Sequence, residues 1–255
     1  MDRYVRTYSP VTKEIRSPLT KGDKPERDPE LEEFTFKLQA ATGYEPLLAV
    51  NASAKPPKKA PSHRDSSDGQ IDVSEDHVRF NGKGQLVIDA NDGRGYGKLD
   101  VGLVKGREEV SFEVWFTPTG GSYNWNAVVQ FRGGKDAFYY TFRTLNTHRA
   151  ELIVNGHNED IQRNIDVKVG QPMHVVVTYD QDGENGRPLL ASYVNGKLTG
   201  RMVTSIKLSE LGLTSGQIGP FAGAFDELRI YDYPLSAQEV QGNYAAGPDK
   251  LNVTK

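Results

Sequence analysis

Residues 173–203 read MHVVVTYDQDGENGRPLLASYVNGKLTGRMV. Val175, Val177 and Tyr179 alternate with His174, Val176 and Thr178, the period of a strand buried mainly on one face. A second apolar run, Leu189 to Val194, ends at Asn195-Gly196, a dipeptide suited to the left-handed positions of a two-residue hairpin turn. The run QDGENG between the two holds four turn formers, Asp182, Gly183, Asn185 and Gly186. The stretch therefore reads as strand, hairpin, strand, with no helical period in it.

The same grammar extends in both directions from about Val73. Strands are expected at 77–80, 84–89, 98–103, 109–117, 126–132, 137–144, 149–154, 160–167, 172–179, 189–195, 197–203, 215–219 and 223–231. Asn-Gly pairs at 81–82 and 155–156 repeat the hairpin signal, and Gly133-Gly134 sits in a similar place. Many short strands without crossover helices predict an all-β, antiparallel two-sheet jelly-roll sandwich. A short C-terminal helix is expected after Pro234, because Ser236-x-x-Glu239 is a capping box. Val240 and Tyr244 share one face of that helix, where they can cover the sandwich edge.

Composition changes near residue 70. The first 70 residues hold eight of the 14 prolines and carry 12 Lys+Arg against 11 Asp+Glu. Such a segment buries little apolar surface to offset its ordering entropy, so 1–71 is expected to be a long, largely irregular arm. The sandwich is expected at 72–247 and a tail at 248–255. Within the arm, Asp28 and Pro29 make a helix start, and Leu31, Phe34, Leu38 and Ala41 form a stripe that Gly43 stops. This predicts a helix near 29–42 that docks on its own sandwich or on another protein, with 51–69 an extended linker.

Bulk properties exclude several classes. A formal charge of -3 does not favour nucleic acid or an anionic membrane. With no cysteine, disulfides and thiolate metal sites are excluded. No apolar run approaches the roughly 18–20 residues that span a bilayer. The start MDRYVRTYSP lacks the apolar stretch of a secretory signal, so the chain is either cytoplasmic or a mature form.

Four segments in order carry a resemblance. VRFNGKGQLVI (78–88) reaches a Phe-Asn-Gly turn, and VSFEVWFTP (110–118) is an alternating strand with tryptophan that ends at proline. MHVVVTYD (173–180) with LLASYVNGKL (189–198) forms a central hairpin, and FAGAFDELRIYDYPLSAQEVQGNYAAG (221–247) a closing strand, turn and helix. Together they resemble laminin-G-like jelly rolls of the concanavalin A-like lectin/glucanase superfamily. That resemblance implies an extracellular, periplasmic or surface-exposed module. It also implies one calcium ion as the possible cofactor, with Asp226 at the family's closing-strand aspartate and Asn81 in the first turn.

Catalysis is not expected. Relatives that hydrolyse glucans carry spaced carboxylates on one strand face, whereas Glu113 stands alone and Asp226 and Glu227, being adjacent, face opposite ways. No cysteine nucleophile, Gly-x-Ser-x-Gly elbow or phosphate loop is present, and the five histidines show no short metal-ligand spacing. The loops DANDG (89–93) and DQDGENG (180–186) lack the twelve-residue calcium pattern and read as turns. For ligand binding, Tyr123 and Trp125 lie in a turn-rich run where aromatic faces can stack on a sugar, with Asn126 beside them. Tyr140, Arg143 and His148 are placed along a neighbouring groove, or else Tyr140 belongs to the core.

The expected function is a non-catalytic recognition module for carbohydrate or a surface protein, working through sandwich-edge loops. The alternative is a structural subunit of a larger assembly that docks through its arm by Leu31, Phe34 and Leu38.

Overall fold

The computed structural model describes residues 3–9, 35–41, 48–51, 77–81, 85–89, 95–119, 126–144 and 147–248. The alternating segments form strands where the pattern placed them: β4 (Val78–Phe80), β5 (Leu86–Ile88), β6 (Gly97–Leu99), β7 (Glu109–Pro118), β8 (Asn126–Gly133), β9 (Asp136–Thr144) and β10 (Thr147–Val154). They continue through β11 (His157–Asn164), β12 (Met173–Glu184), β13 (Arg187–Val194), β14 (Lys197–Val203), β15 (Ser215–Ile218) and β16 (Gly223–Tyr231) to helix α1 (Ala237–Ala246). Asn155, Asn185 and Asn195 have positive φ, each followed by a positive-φ glycine, so three Asn-Gly hairpin turns are made as their chemistry allows. Asn185-Gly186 lies inside the loop whose acidity resembled a calcium site. It is the turn between β12 and β13.

Three arm segments are also strands: β1 (Arg3–Ser9), β2 (Thr35–Ala41) and β3 (Leu48–Asn51). The helix expected near 29–42 is thus corrected over its second half. Residues 35–41 read TFKLQAA, in which Phe36, Leu38 and Ala40 also alternate at period two, and pairing with β1 selects that period over the helical one. Residues 29–34, with Leu31 and Phe34, lie outside the described residues, as does most of the linker.

Strands run β14-β13-β12-β7-β16-β3-β1-β2 in the large sheet, with β5 on the other half of β16 and β4 beyond it. The small sheet runs β11-β10-β9-β8-β15-β6. Between them lies one apolar core built from inward positions, among them Phe112, Val114 and Phe116 of β7, Phe138 and Phe142 of β9, and Leu228 and Ile230 of β16. Phe116 is its centre, 5.4 Å from the Phe221 ring and 5.7 Å from that of Phe225. Polar staples hold the rims. Asp136 accepts from the Asn155 and Gly212 backbone N–H groups, and Glu159 accepts from Thr204 and from the Ser205 backbone N–H and hydroxyl.

β12 departs from one-sided burial: all seven residues 173–179 are buried. Its second face lies under α1, where Val176, Ala191, Tyr193, Tyr231, Tyr233, Leu235 and Val240 make a smaller cluster. The capping box is formed: Ser236 accepts from the Glu239 N–H, and Glu239 accepts from the Ser236 N–H. Among the described residues no helix is long and apolar enough to cross a membrane.

Tyr140 and His148 face the core and are fully buried, which corrects their placement along a groove. The cause is register: Tyr140 opposes Ala150, His148 opposes Phe142, and all four belong to the inward set. Tyr140 Oη and His148 Nδ1 are 2.8 Å apart. Burial, with the nearby charge of Arg163, lowers the pKa of His148 from 6.5 to about 4. Below pH 6.5 the unfolded chain binds a proton that the folded state refuses. Stability from this residue is therefore complete above that pH and falls away toward pH 4, by up to about 3 kcal/mol. Urea unfolding of His148→Leu should show a flatter pH dependence between 6.5 and 4 than the parent, even though the variant starts less stable. A second test concerns Gly133, where an added Cβ would lie 1.8 Å from the Gly212 carbonyl oxygen. Gly133→Ala should lose at least about 1–3 kcal/mol by thermal or urea unfolding.

Candidate functional site

Of the residues singled out in the sequence, only some lie among the described residues. Tyr123 and Trp125 lie outside the described residues, in the segment that enters β8 at the half-buried Asn126, whose carbonyl accepts from the Thr141 hydroxyl. Arg143 belongs to β9 and Leu38 to β2. Asn81 and Asp226 do come together, joined by Gln85. The Gln85 amide donates to Asp226 Oδ1 at 2.8 Å and accepts from Asn81 Nδ2 at 2.8 Å. Asp226 Oδ1 thus accepts one donor, with which a cation at this carboxylate would share the group. No group of three or more candidate metal ligands occurs among the described residues.

Two polar clusters exist that the sequence pattern did not reveal. The first is on the outward face of the large sheet, beneath α1. Glu113 is fully buried and accepts from His174 Nε2 (2.8 Å), Tyr231 Oη (2.6 Å), Asn243 Nδ2 (3.2 Å) and Arg229 Nη1 (3.3 Å). Arg229 also grips Glu227 with two nitrogens, at 2.7 and 2.8 Å. The Arg229 guanidinium lies 4.5 Å from the Trp115 ring centre, and the His174 ring 4.1 Å from it on centroids. Burial by itself would raise the Glu113 pKa, but the His174 hydrogen bond and the Arg229 charge outweigh it and hold the carboxyl below its usual range. Every member is buried, and Asn243 of α1 donates into it, so this cluster anchors the helix.

The second cluster lies on the outward face of the small sheet. Tyr139 donates to Glu151; Arg149 bonds Glu151 at 3.2 Å and also Asp160. Arg132 donates to Gln130 Oε1 at 2.6 Å and lies 5.3 Å from the centre of the Tyr139 ring. Burial and the Glu151 carboxylate push the Tyr139 pKa well up, so its hydroxyl stays a donor. Gln130 and Gln217 both donate to the Gly219 carbonyl at 3.3 Å. Arg132 is exposed, whereas Tyr139, Glu151 and Gln130 are nearly covered. A sequence signal for this cluster was present in Tyr139, Thr141 and Arg149, polar residues at the outward positions of apolar strands.

Fold and clusters together define a two-sheet jelly-roll module whose buried charges serve structure and whose small sheet presents fixed hydrogen-bonding groups. The chain belongs to the concanavalin A-like lectin/glucanases superfamily, whose family model matches residues 89–241. No curated protein matches the chain. Among solved structures, it resembles the Ruminococcus gnavus IT-sialidase CBM40 bound to α2,3-sialyllactose (17% identity, TM-score 0.51, 62% of this chain and 94% of that one). It also resembles botulinum neurotoxin type C, whose cell entry depends on interaction with two ganglioside molecules (14% identity, TM-score 0.56, 73% of this chain and 49% of that one). A third is the leech intramolecular trans-sialidase (17% identity, TM-score 0.52, 60% of this chain), of which the match spans only 26%. At these identities the likeness is one of fold.

The two clusters respond differently to substitution. Glu113→Ala leaves Arg229 and His174 buried without their carboxylate and should lower unfolding free energy by about 3–5 kcal/mol. Tyr139→Phe removes one hydroxyl and should cost about 1 kcal/mol. Urea titration of both variants checks the contrast.

Proposed function

We propose that the protein is a non-catalytic carbohydrate-recognition module whose ligand docks on the outward face of the small sheet. The observation that carries this reading is the set of accessible polar groups Arg132, Arg149 and Asp160, held in place by the nearly covered Gln130, Tyr139 and Glu151 beneath them. Sugar hydroxyls need donors and acceptors already fixed in place, because ordering flexible side chains on binding costs affinity. Here the side chains are held by one another. The solved structures that resemble it, one bound to sialyllactose and one of a toxin that interacts with gangliosides, support a glycan as ligand and make sialylated glycans the first to try. A surface-exposed location accords with that role.

The test is a glycan array that includes sialylated structures and gangliosides, run with calcium and with chelator. Binding is expected, and Arg132→Ala should weaken it at least tenfold while the melting temperature stays put. Loss of binding in chelator would point to a cation at Asp226 and Asn81, and unchanged affinity to recognition by side chains alone. Undiminished binding by Arg132→Ala would move the ligand elsewhere, with Tyr123 and Trp125 the next residues to substitute. A blank array from folded protein would favour the structural-subunit reading, with the arm as the docking part.

A further inference from the structure

The large sheet does not end at β16. Backbone register carries its two faces outward through the three arm strands. Val50 of β3 stands beside Leu228 of β16, Tyr8 of β1 beside Val50, and Phe36 of β2 beside Tyr8. The next row runs Ile230, Leu48, Arg6 and Leu38 in the same way. Leu228 and Ile230 belong to the core, so both rows fall on the core-side face of the sheet. They are apolar or aromatic throughout except at Arg6. The opposite face takes Thr7 of β1 and, beside it, Lys37 of β2.

Both rows stop at β2. This strand closes the order of the large sheet, with β1 paired to one edge and, among the described residues, no strand paired to the other. An unpaired edge offers backbone N–H and C=O groups to any extended segment that fits it. The charge of the three arm strands is also one-sided. RYVRTYS, TFKLQAA and LAVN hold Arg3, Arg6 and Lys37 and no Asp or Glu, in a chain whose formal charge is -3. A second copy of the chain would bring the same cations to the same edge, and like charges facing across strands oppose pairing. A lipid surface could meet the cations but has no backbone to pair with the edge.

We propose that the free edge of β2 receives a strand from a protein partner in which apolar and acidic residues alternate. Its apolar residues continue the rows that end at Phe36 and Leu38, and a carboxylate meets Lys37 on the other face. This docking is separate from the carbohydrate reading, whose ligand lies on the small sheet.

The probe is a fluorescein-labelled peptide of alternating valine and glutamate, long enough to cover the seven residues of β2. Anisotropy follows its binding to the full chain, and hydrogen exchange reports on residues 35–41. Saturable binding that slows exchange over 35–41 is expected. Lys37→Glu, with folding checked by circular dichroism, should weaken the peptide about tenfold and instead admit one of alternating valine and lysine. Rescue by that charge swap separates a lost contact from a damaged fold. Equal affinity for a peptide with its valines and glutamates in separate blocks would overturn the proposal, as would binding without slowed exchange at 35–41. Binding to phosphatidylserine vesicles but to neither alternating peptide would assign the arm to lipid and overturn it too, and so would no binding at all.

Discussion

Register is the constraint on which the rest of this molecule depends. In a pleated strand every second side chain goes to the same face, so a slip of one residue would exchange core for surface throughout. β7 shows the cost. Phe112, Val114 and Phe116 face the core, while on the other face Ser111 donates to the Tyr233 carbonyl, Glu113 meets Asn243 of α1 and Trp115 packs on His174. Moving it by one position would drive a carboxylate into the aromatic centre and strip Arg229 of one of its two carboxylate partners. Pairing with β12 on one side and β16 on the other holds that register.

The same alternation gives each sheet a second face, and the two second faces have different fates. On the large sheet, α1 closes over a network in which Glu113 and Glu227 meet Arg229, and Glu113 also meets His174, Tyr231 and Asn243. Such a network is tolerable out of water only because its carboxylates are so fully bonded. The small sheet has no counterpart of α1 among the described residues, and its outward side chains brace one another sideways, Arg132 against Gln130 and Tyr139, Arg149 against Glu151 and Asp160. A sealed network stabilises. A braced row with an exposed arginine at its flank is suited to meeting a polar ligand.

Much of the fold was legible in local patterns. The thirteen expected strands are all present in whole or part, with ends shifted by a few residues, and 98–103 is shared between β6 and a 3₁₀ turn, Val101–Leu103. The capping box and the Asn-Gly turns were readable because the chemistry that makes them lies within four residues. Residues 35–41 were misread because Phe36, Leu38 and Ala40 serve a strand as well as Leu31, Phe34 and Leu38 serve a helix, and only pairing with β1 distinguishes the two. The site was barely legible. Tyr140 and His148 looked like groove residues, yet the register between β9 and β10 turns them inward.

By itself, then, the sequence determined what depends on neighbours along the chain: strand period, turn chemistry, the helix cap, and the break between arm and sandwich composition. Tertiary structure alone decided which polar residues meet. Glu113 finds Arg229 and Asn243 across more than a hundred residues, and Lys98 joins the row of Asp160 through four intervening strands. No local spacing encodes such encounters, because they are fixed by the order and registry of strands in the sheets, and that order is set by how the whole chain buries its apolar faces.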